Sequence, residues 1–447
     1  MTVVTPPTGV RGRPKGRARE QTRRMVLDAA LERFAVAGFH GATTRAIAAA
    51  AGVTQGVIHQ HFGSKRELYE AVFHEGHAAA VHGMRRAVDT DSVADAAIRI
   101  LRFAARGTAS RPYIAHFLGS VEIEAARHPQ LAHLSVEHLA PYITEFGALA
   151  DRARSRGPLP GGVEPGDVVP ALWAMLIGAT LYAGWSDSPG EYSALVEEMV
   201  TGIAAGPAPA AGDEGPAAAG GPRAAAPGHP SPRPLVLPAP ADPDPRSTAS
   251  RLVRAATEVF PRTGYETTSV AEVAAAAGMT TGAVYRCFAS KDDLFVTACG
   301  QAEQEFETCV RSALEQADAG ADPVAIYLRC VAATAAQRPG LATFRATAGV
   351  ELMRSAALRD LRDDVLDRRR RYLTDLLRTG RTPGGSTPGG SAPDDADRRA
   401  RVAMVLAEGL GSLPIQGGRL RDLDAGPAAA MLAELFRSTD PTRRDRR

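Results

Sequence analysis

The sequence predicts an all-α fold of two tandem modules, each a three-helix head followed by a larger helical bundle. Three observations carry this. Apolar residues recur at helical spacing, as at Leu27, Ala30, Leu31 and Phe34, which fall at i, i+3, i+4 and i+7. Phe62-Gly63-Ser64-Lys65-Arg66-Glu67-Leu68 returns 226 residues later as Phe288-Ala289-Ser290-Lys291-Asp292-Asp293-Leu294, and these two segments hold two of the three lysines in the chain. Upstream, Phe34, Gly38, Ala48 to Gly52, Thr54 and Gly56 match Phe260, Gly264, Ala274 to Gly278, Thr280 and Gly282 at the same offset. A fixed offset sustained over roughly 35 residues means one structural unit used twice.

The first copy reads as three short helices and the start of a fourth. Gly38 ends the first, as glycine past a helix C-terminus commonly does. Thr43 is placed to cap a second helix that carries Ile47 and Ala48 inward. Ala51-Gly52-Val53-Thr54 makes a tight turn in which Gly52 is free to take positive φ. Thr54 then caps a third helix that buries Ile58 and Phe62. In the second copy Ser269 and Glu272 have the spacing of a capping box, which the first copy lacks at that place. Pro261 removes a backbone donor or kinks the end of that copy's first helix. Two helices joined by a short glycine-bearing turn form a helix-turn-helix, whose second helix enters the DNA major groove.

With Gly38 to Thr44, Ile47-Ala48, Ala51 to Gly56 and the Phe62-x-Ser64-Lys65-x-x-Leu68 run, the chain resembles the N-terminal domain of TetR-type transcriptional regulators, and Gly264-Tyr265 through Leu294 resembles it again. The resemblance covers about 50 residues per copy. It implies an all-helical chain, DNA-binding heads, and C-terminal bundles that bind a small effector and dimerise through their last two helices. It also places Lys65 at the start of the fourth helix, near the DNA backbone. Two departures stand out. His59 occupies the place of a backbone-touching tyrosine that Tyr285 keeps, and Cys287 lies on the second recognition helix.

The residues expected at the DNA follow from these motifs. In module one they are Thr43, Thr44, Thr54, Gln55, Val57, His59, Gln60 and Lys65. In module two they are Ser269, Thr280, Thr281, Ala283, Tyr285, Arg286 and Lys291. Gln55 or Gln60 suits adenine, Arg286 suits guanine, and Val57 suits a thymine methyl. A basic arm with Arg11, Arg13 and Lys15 precedes the first head and can reach phosphates or a narrow minor groove. Residues 11–72 carry a net charge of +6, against −1 for residues 237–298, so the first head is the stronger electrostatic partner for DNA.

Composition sets the boundaries. The expected order is a basic arm at 1–20, heads at 21–72 and 247–298, regulatory bundles at 73–205 and 299–440, and a basic tail at 441–447. Residues 206–246, rich in Pro, Ala and Gly, form a linker with a span of about 35 Å if flexible. Helices are expected near 92–107, 111–127, 131–154, 167–185 and 191–204, and in module two near 291–317, 322–337, 341–354, 357–379, 396–413 and 427–438. Val168, Leu172, Met175, Leu176 and Ala179 make one candidate dimer face; Val402, Val405, Leu406 and Leu410 make the other. Candidate effector-pocket residues are Tyr113, Phe117, Trp173 and Tyr182, with Tyr327 and Phe344 in module two.

Other classes find little support. His74, His77 and His82, or His128, His133 and His138, complete no tetrahedral site, so no metal or cofactor is expected. No phosphate loop, G-x-S-x-G or H-E-x-x-H motif is present, and no enzyme is expected. The start lacks an apolar signal core, no uninterrupted membrane-length apolar run occurs, and the four cysteines make no C-x-x-C, which together predict a reduced, cytoplasmic protein. The leading expectation is a regulator, a repressor of an operator in double-stranded DNA relieved by a small-molecule effector, acting as an intramolecular pseudo-dimer or a homodimer. The alternative is a ligand-binding helical protein with vestigial DNA-binding activity.

Overall fold

The computed structural model describes residues 15–159, 163–185, 188–204, 235–239, 244, 246–318, 321–379, 393–415 and 425–436. Arg11 and Arg13 of the arm, most of the linker and the basic tail lie outside the described residues. Among the described residues all regular structure is helical.

The first head is α1 (Lys15–Gly41), α2 (Thr44–Ala50) and α3 (Gln55–Phe62). α1 breaks at Gly38, where φ is +66, a value costly for any residue with a Cβ. Thr43 accepts from the Ala46 N–H at 3.1 Å and caps α2. Thr54 occupies the cap position of α3, but its side chain makes no capping hydrogen bond. Leu27, Ala30, Leu31, Phe34, Ile47, Ile58 and Phe62 are buried together.

α4 (Lys65–Ala87) leads from the head into α5 (Val93–Ser110), α6 (Pro112–Gly119), α7 (Val121–Arg127), α8 (Ala132–Arg156), α9 (Pro165–Trp185) and α10 (Pro189–Ala204). The single helix expected over 111–127 is two. At Ser120 both the N–H and the hydroxyl turn back to the Phe117 carbonyl, at 3.2 and 2.9 Å, and the α-helical ladder is interrupted.

Module two repeats the order with α11 (Thr248–Thr263), α12 (Val270–Ala276), α13 (Thr281–Cys287), α14 (Lys291–Glu315), α15 (Pro323–Gln337), α16 (Pro339–Arg354), α17 (Arg359–Thr379), α18 (Pro393–Ser412) and α19 (Ala425–Leu435). The Ser269–Glu272 capping box forms, and Pro261 sits inside the last turns of α11. Unlike its counterpart, α16 runs unbroken from Pro339 to Arg354. The end of the expected linker is attached: the Leu237 N–H donates to Gln337 and Gln337 donates to the Leu235 carbonyl. Leu235, Val236 and Leu237 are the large aliphatic residues of that tract, and Leu237 is buried.

One apolar core takes side chains from both modules, including Val168, Leu172, Met175 and Ala179 of α9 with Val402, Val405, Leu406 and Leu410 of α18. α9 and α18 touch backbone to backbone. A Cβ at Gly178 would run into the Val405 carbonyl, and a Cβ at Gly409 would run into the Ala174 carbonyl. The two contacts are reciprocal, each partner 231 residues from its counterpart, which is the signature of a two-fold arrangement. α9 is long and apolar enough to cross a bilayer by length and composition, yet 78% of its most apolar window is buried within the protein.

Candidate nucleic-acid interface

Each head presents the second helix of its helix-turn-helix outward. On α3, Thr54, Gln55, His59 and Gln60 are exposed and Val57 is half-buried. Gln55 donates to the Thr44 hydroxyl at 2.6 Å, which ties the start of α3 to α2. His59 donates through Nδ1 to the Gly63 carbonyl at 2.7 Å, which leaves Nε2 pointing away from that bond. On α13, Thr280, Thr281, Arg286 and Tyr285 are exposed, the last at 60%. Ala283 departs from expectation: its methyl is buried, too short to project past its neighbours, and it offers no surface to a base edge. Thr43, Thr44 and Ser269 lie at the starts of α2 and α12, with Thr43 and Ser269 engaged as caps. Lys15 begins α1.

Lys65 has a structural task that its motif does not reveal. Its ammonium donates to the carbonyls of His40 (3.3 Å) and Ala42 (3.1 Å) and sits 4.6 Å above the centre of the Phe39 ring. Partial burial lowers its pKa, with Glu124 opposing the shift. Lys291 repeats the arrangement on the carbonyls of Tyr265 (2.8 Å) and Glu266 (3.3 Å), 4.5 Å above the Tyr265 ring. A second unforeseen device is a capping box at α4, where Ser64 and Glu67 satisfy each other's backbone donors. These hydrogen bonds from Ser64 lower the Glu67 pKa.

Between the heads lies a cluster of four charges. Arg354 pairs with Glu124 at 2.6 Å and Arg127 with Glu351 at 2.7 Å, all four side chains nearly shut off from solvent. Glu124 and Glu351 are 227 residues apart, as are Arg127 and Arg354, so the pairs are reciprocal across the two modules. Each pair grips a head. Glu124 accepts from the Phe39 N–H at 3.1 Å, just past Gly38, while Arg127 donates to the carbonyls of Pro261 and Phe260 at 3.0 and 3.3 Å. Burial pushes the Glu124 carboxyl up, but Arg354, His128 and Arg127 outweigh it and hold the group at about 2.

The pocket candidates scatter. Trp173 borders a cavity of about 190 Å³ in module one. Tyr113 is 39% exposed outside it, Phe117 packs on Tyr69 in the head core, and Tyr182 packs beside Trp185. Tyr327 and Phe344 are core residues against Phe306 and Phe295. Three of the histidines have partners within the protein: His138 faces Glu122 at 3.1 Å, His74 faces Glu137 at 3.0 Å, and His77 faces the His138 carbonyl at 3.1 Å.

The profile described as "Bacterial regulatory proteins, tetR family" matches this chain twice, over residues 26–72 and 252–298. Both heads are TetR-family domains. Both matches fall on the helix-turn-helix heads and the first turns of α4 and α14. The chain is 40% identical over 84 residues to the HTH-type transcriptional activator FasR of Mycolicibacterium smegmatis, covering 19% of this chain and 38% of that protein. It is 27% identical over 188 residues to the HTH-type transcriptional regulator UidR of Escherichia coli, covering 42% of this chain and 91% of UidR. Among solved structures, a TetR transcriptional regulator from Chloroflexus aurantiacus aligns with a TM-score of 0.36 and 22% identity over 42% of this chain and 96% of its own. SmeT, the repressor of a Stenotrophomonas maltophilia multidrug efflux pump, aligns with a TM-score of 0.32 and 21% identity over 41% of this chain and 89% of its own.

Proposed function

We propose that this chain is a DNA-binding transcriptional regulator acting as a single-chain pseudo-dimer, a repressor whose grip on an operator is relieved by a small effector. The observation that carries the reading is the reciprocal pairing of Glu124 with Arg354 and Arg127 with Glu351, which joins two exposed recognition helices to one shared body. The reciprocal glycine contacts of α9 and α18 support it, because they use up within one chain the surfaces two separate chains would share. A tether of this kind raises the effective concentration of one module for the other to about the millimolar range. On this reading Gln55, Gln60 and Arg286 read bases, Tyr285 and His59 approach the backbone, and the arm carrying Arg11, Arg13 and Lys15 supplies non-specific affinity.

Relief by an effector is supported by the position of α6. It walls the module-one cavity and packs directly on α1, and Arg111 at its start reaches Asp28 of the head at 3.6 Å. A ligand that displaces α6 displaces the first head. Light scattering combined with a gel shift on genomic fragments tests the proposal. A mass of 46.9 kDa that binds one DNA duplex is expected. Twice that mass on DNA would overturn the pseudo-dimer, and no DNA binding at all would favour a ligand-binding protein that has lost its operator.

A further inference from the structure

We infer that the chain holds one effector site, not two: the module-one cavity accepts an uncharged, largely apolar molecule of about one substituted aromatic ring, and module two has filled its equivalent space with ions. The inference rests on the regulator reading for its purpose, though its geometry stands apart from it.

The module-one cavity of about 190 Å³ is bordered by Ala80, Phe103, Ile114, Leu118, Tyr142 and Trp173 from five helices. An apolar cavity of about 150 Å³ admits benzene, so this one has room for a ring with a small substituent. Among the described residues no carboxylate borders it. Arg111 at its edge is turned to Asp28 and His138 to Glu122, so the walls offer an incoming charge no free partner. Trp173 closes one side of it with a buried indole, adding an aromatic surface to the aliphatic walls.

Module two has the same positions with opposite chemistry. The 226- and 227-residue offsets carry Ala80 to Phe306, His77 to Glu303, Leu118 to Arg345 and Tyr142 to Arg369. The 231-residue offset of α9 and α18 carries Ile177 to Glu408. Phe306 brings a ring where Ala80 has a methyl, and Arg345 stacks on that ring at 3.9 Å. Glu303 receives Arg345 at 3.2 Å and Arg369 at 2.5 Å, and Arg369 also pairs with Glu408. What remains is about 20 Å³, room for little more than one water. A ligand entering there would have to separate buried ion pairs and leave their charges without partners. The wall differs too. α6 is a separate short helix ending before Ser120, whereas α16 continues through the equivalent Thr347.

Calorimetry and native mass spectrometry of the full chain with acetophenone as probe, and benzoate as its charged counterpart, test the inference. One acetophenone per chain and no bound benzoate are expected. Ala80→Phe installs the module-two residue and should weaken acetophenone at least about tenfold. Gly107→Leu is a second filling variant, because a Cβ there meets nothing within 4 Å, and it gives the answer should Ala80→Phe fail to fold. Two acetophenones per chain, equal binding of benzoate, undiminished binding in a folded variant, or no binding up to the probe's solubility would each overturn it. A gel shift on the same preparation separates the two readings. DNA binding without probe binding sinks the cavity assignment alone; probe binding without DNA affinity sinks the regulator reading alone.

Discussion

Glu124 and Arg354 lie 230 residues apart in the chain and 2.6 Å apart in space, and their mirror pair, Arg127 and Glu351, repeats the interaction in the opposite sense. A buried pair of this kind does little net work while intact, because desolvation opposes the attraction, but breaking one partner strands the other. Glu124→Gln should therefore cost about 3 kcal/mol in urea denaturation, and the double variant Glu124→Gln with Arg354→Met should recover most of it. Independent, additive losses from the two substitutions would show that the pair does not act as a unit.

The same carboxylate predicts acid sensitivity. Glu124 sits at about 2 in the folded chain, below the value of about 4.3 expected when unfolded. A depressed folded pKa contributes stability that is complete above the unfolded value and fades as pH falls from about 4 towards 2. Glu303, held well below the ordinary carboxylate range by Arg345 and Arg369 against its own desolvation, acts in the same direction. Denaturation midpoints should drop steeply over that window, and Glu124→Gln should flatten the curve. A parent and variant with parallel pH profiles would remove Glu124 from the account.

Deleting residues 1–19 removes Arg11, Arg13, Lys15, Arg17 and Arg19. Binding to DNA should weaken, and its log–log dependence on salt should become shallower by up to about 0.9 for each phosphate the arm no longer neutralises. A truncated protein with the parent's slope would show that the arm does not touch DNA.

Unlike heads should read unlike half-sites. Gln55 and Gln60 stand exposed on the more basic head, and Arg286 on the more acidic one. Replacing both glutamines with alanine should relax base preference in one half-site and cost more affinity than Arg286→Ala. Selection from random DNA should return an asymmetric operator; a strict palindrome would point to two chains each using one kind of head.

Lys65 separates a structural role from DNA binding. With its ammonium on two carbonyls and an aromatic face, Lys65→Met should lower head stability by about 1–2 kcal/mol in thermal melts while the salt slope of DNA binding stays unchanged. A slope reduced by about 0.9 would return this lysine to the phosphate backbone.

Much of the fold is legible from local signals. The break at Gly38, the cap at Thr43, the Ser269–Glu272 box and the positions of the long bundle helices all follow from patterns within a few residues. The recognition helices are legible for the same reason, with Ala283 the exception, since exposure depends on neighbours as well as helix face. Long-range chemistry is harder to see. Glu124, Arg127, Glu351 and Arg354 look like ordinary charges on a helix until the 227-residue offset is extended past the heads, where Glu-x-x-Arg recurs. The cavity has no sequence signature, because it is the space left by small residues such as Ala80 and Gly107 on different helices. Large aromatics such as Phe117 and Phe344 fill space rather than bound it.

Tyr142 and Arg369 stand at matching places with unlike side chains, and a polypeptide built from two separately encoded halves is free to do this. In an assembly of identical chains one codon writes both copies, so a cavity cannot be closed on one side without closing it on the other. Here each half is inherited on its own account. Gly178 and Gly409 still depend on each other's bare backbone and must persist as a couple. The residues around the two bundle interiors carry no such bond, so one half can keep an open cavity while the other closes into a scaffold.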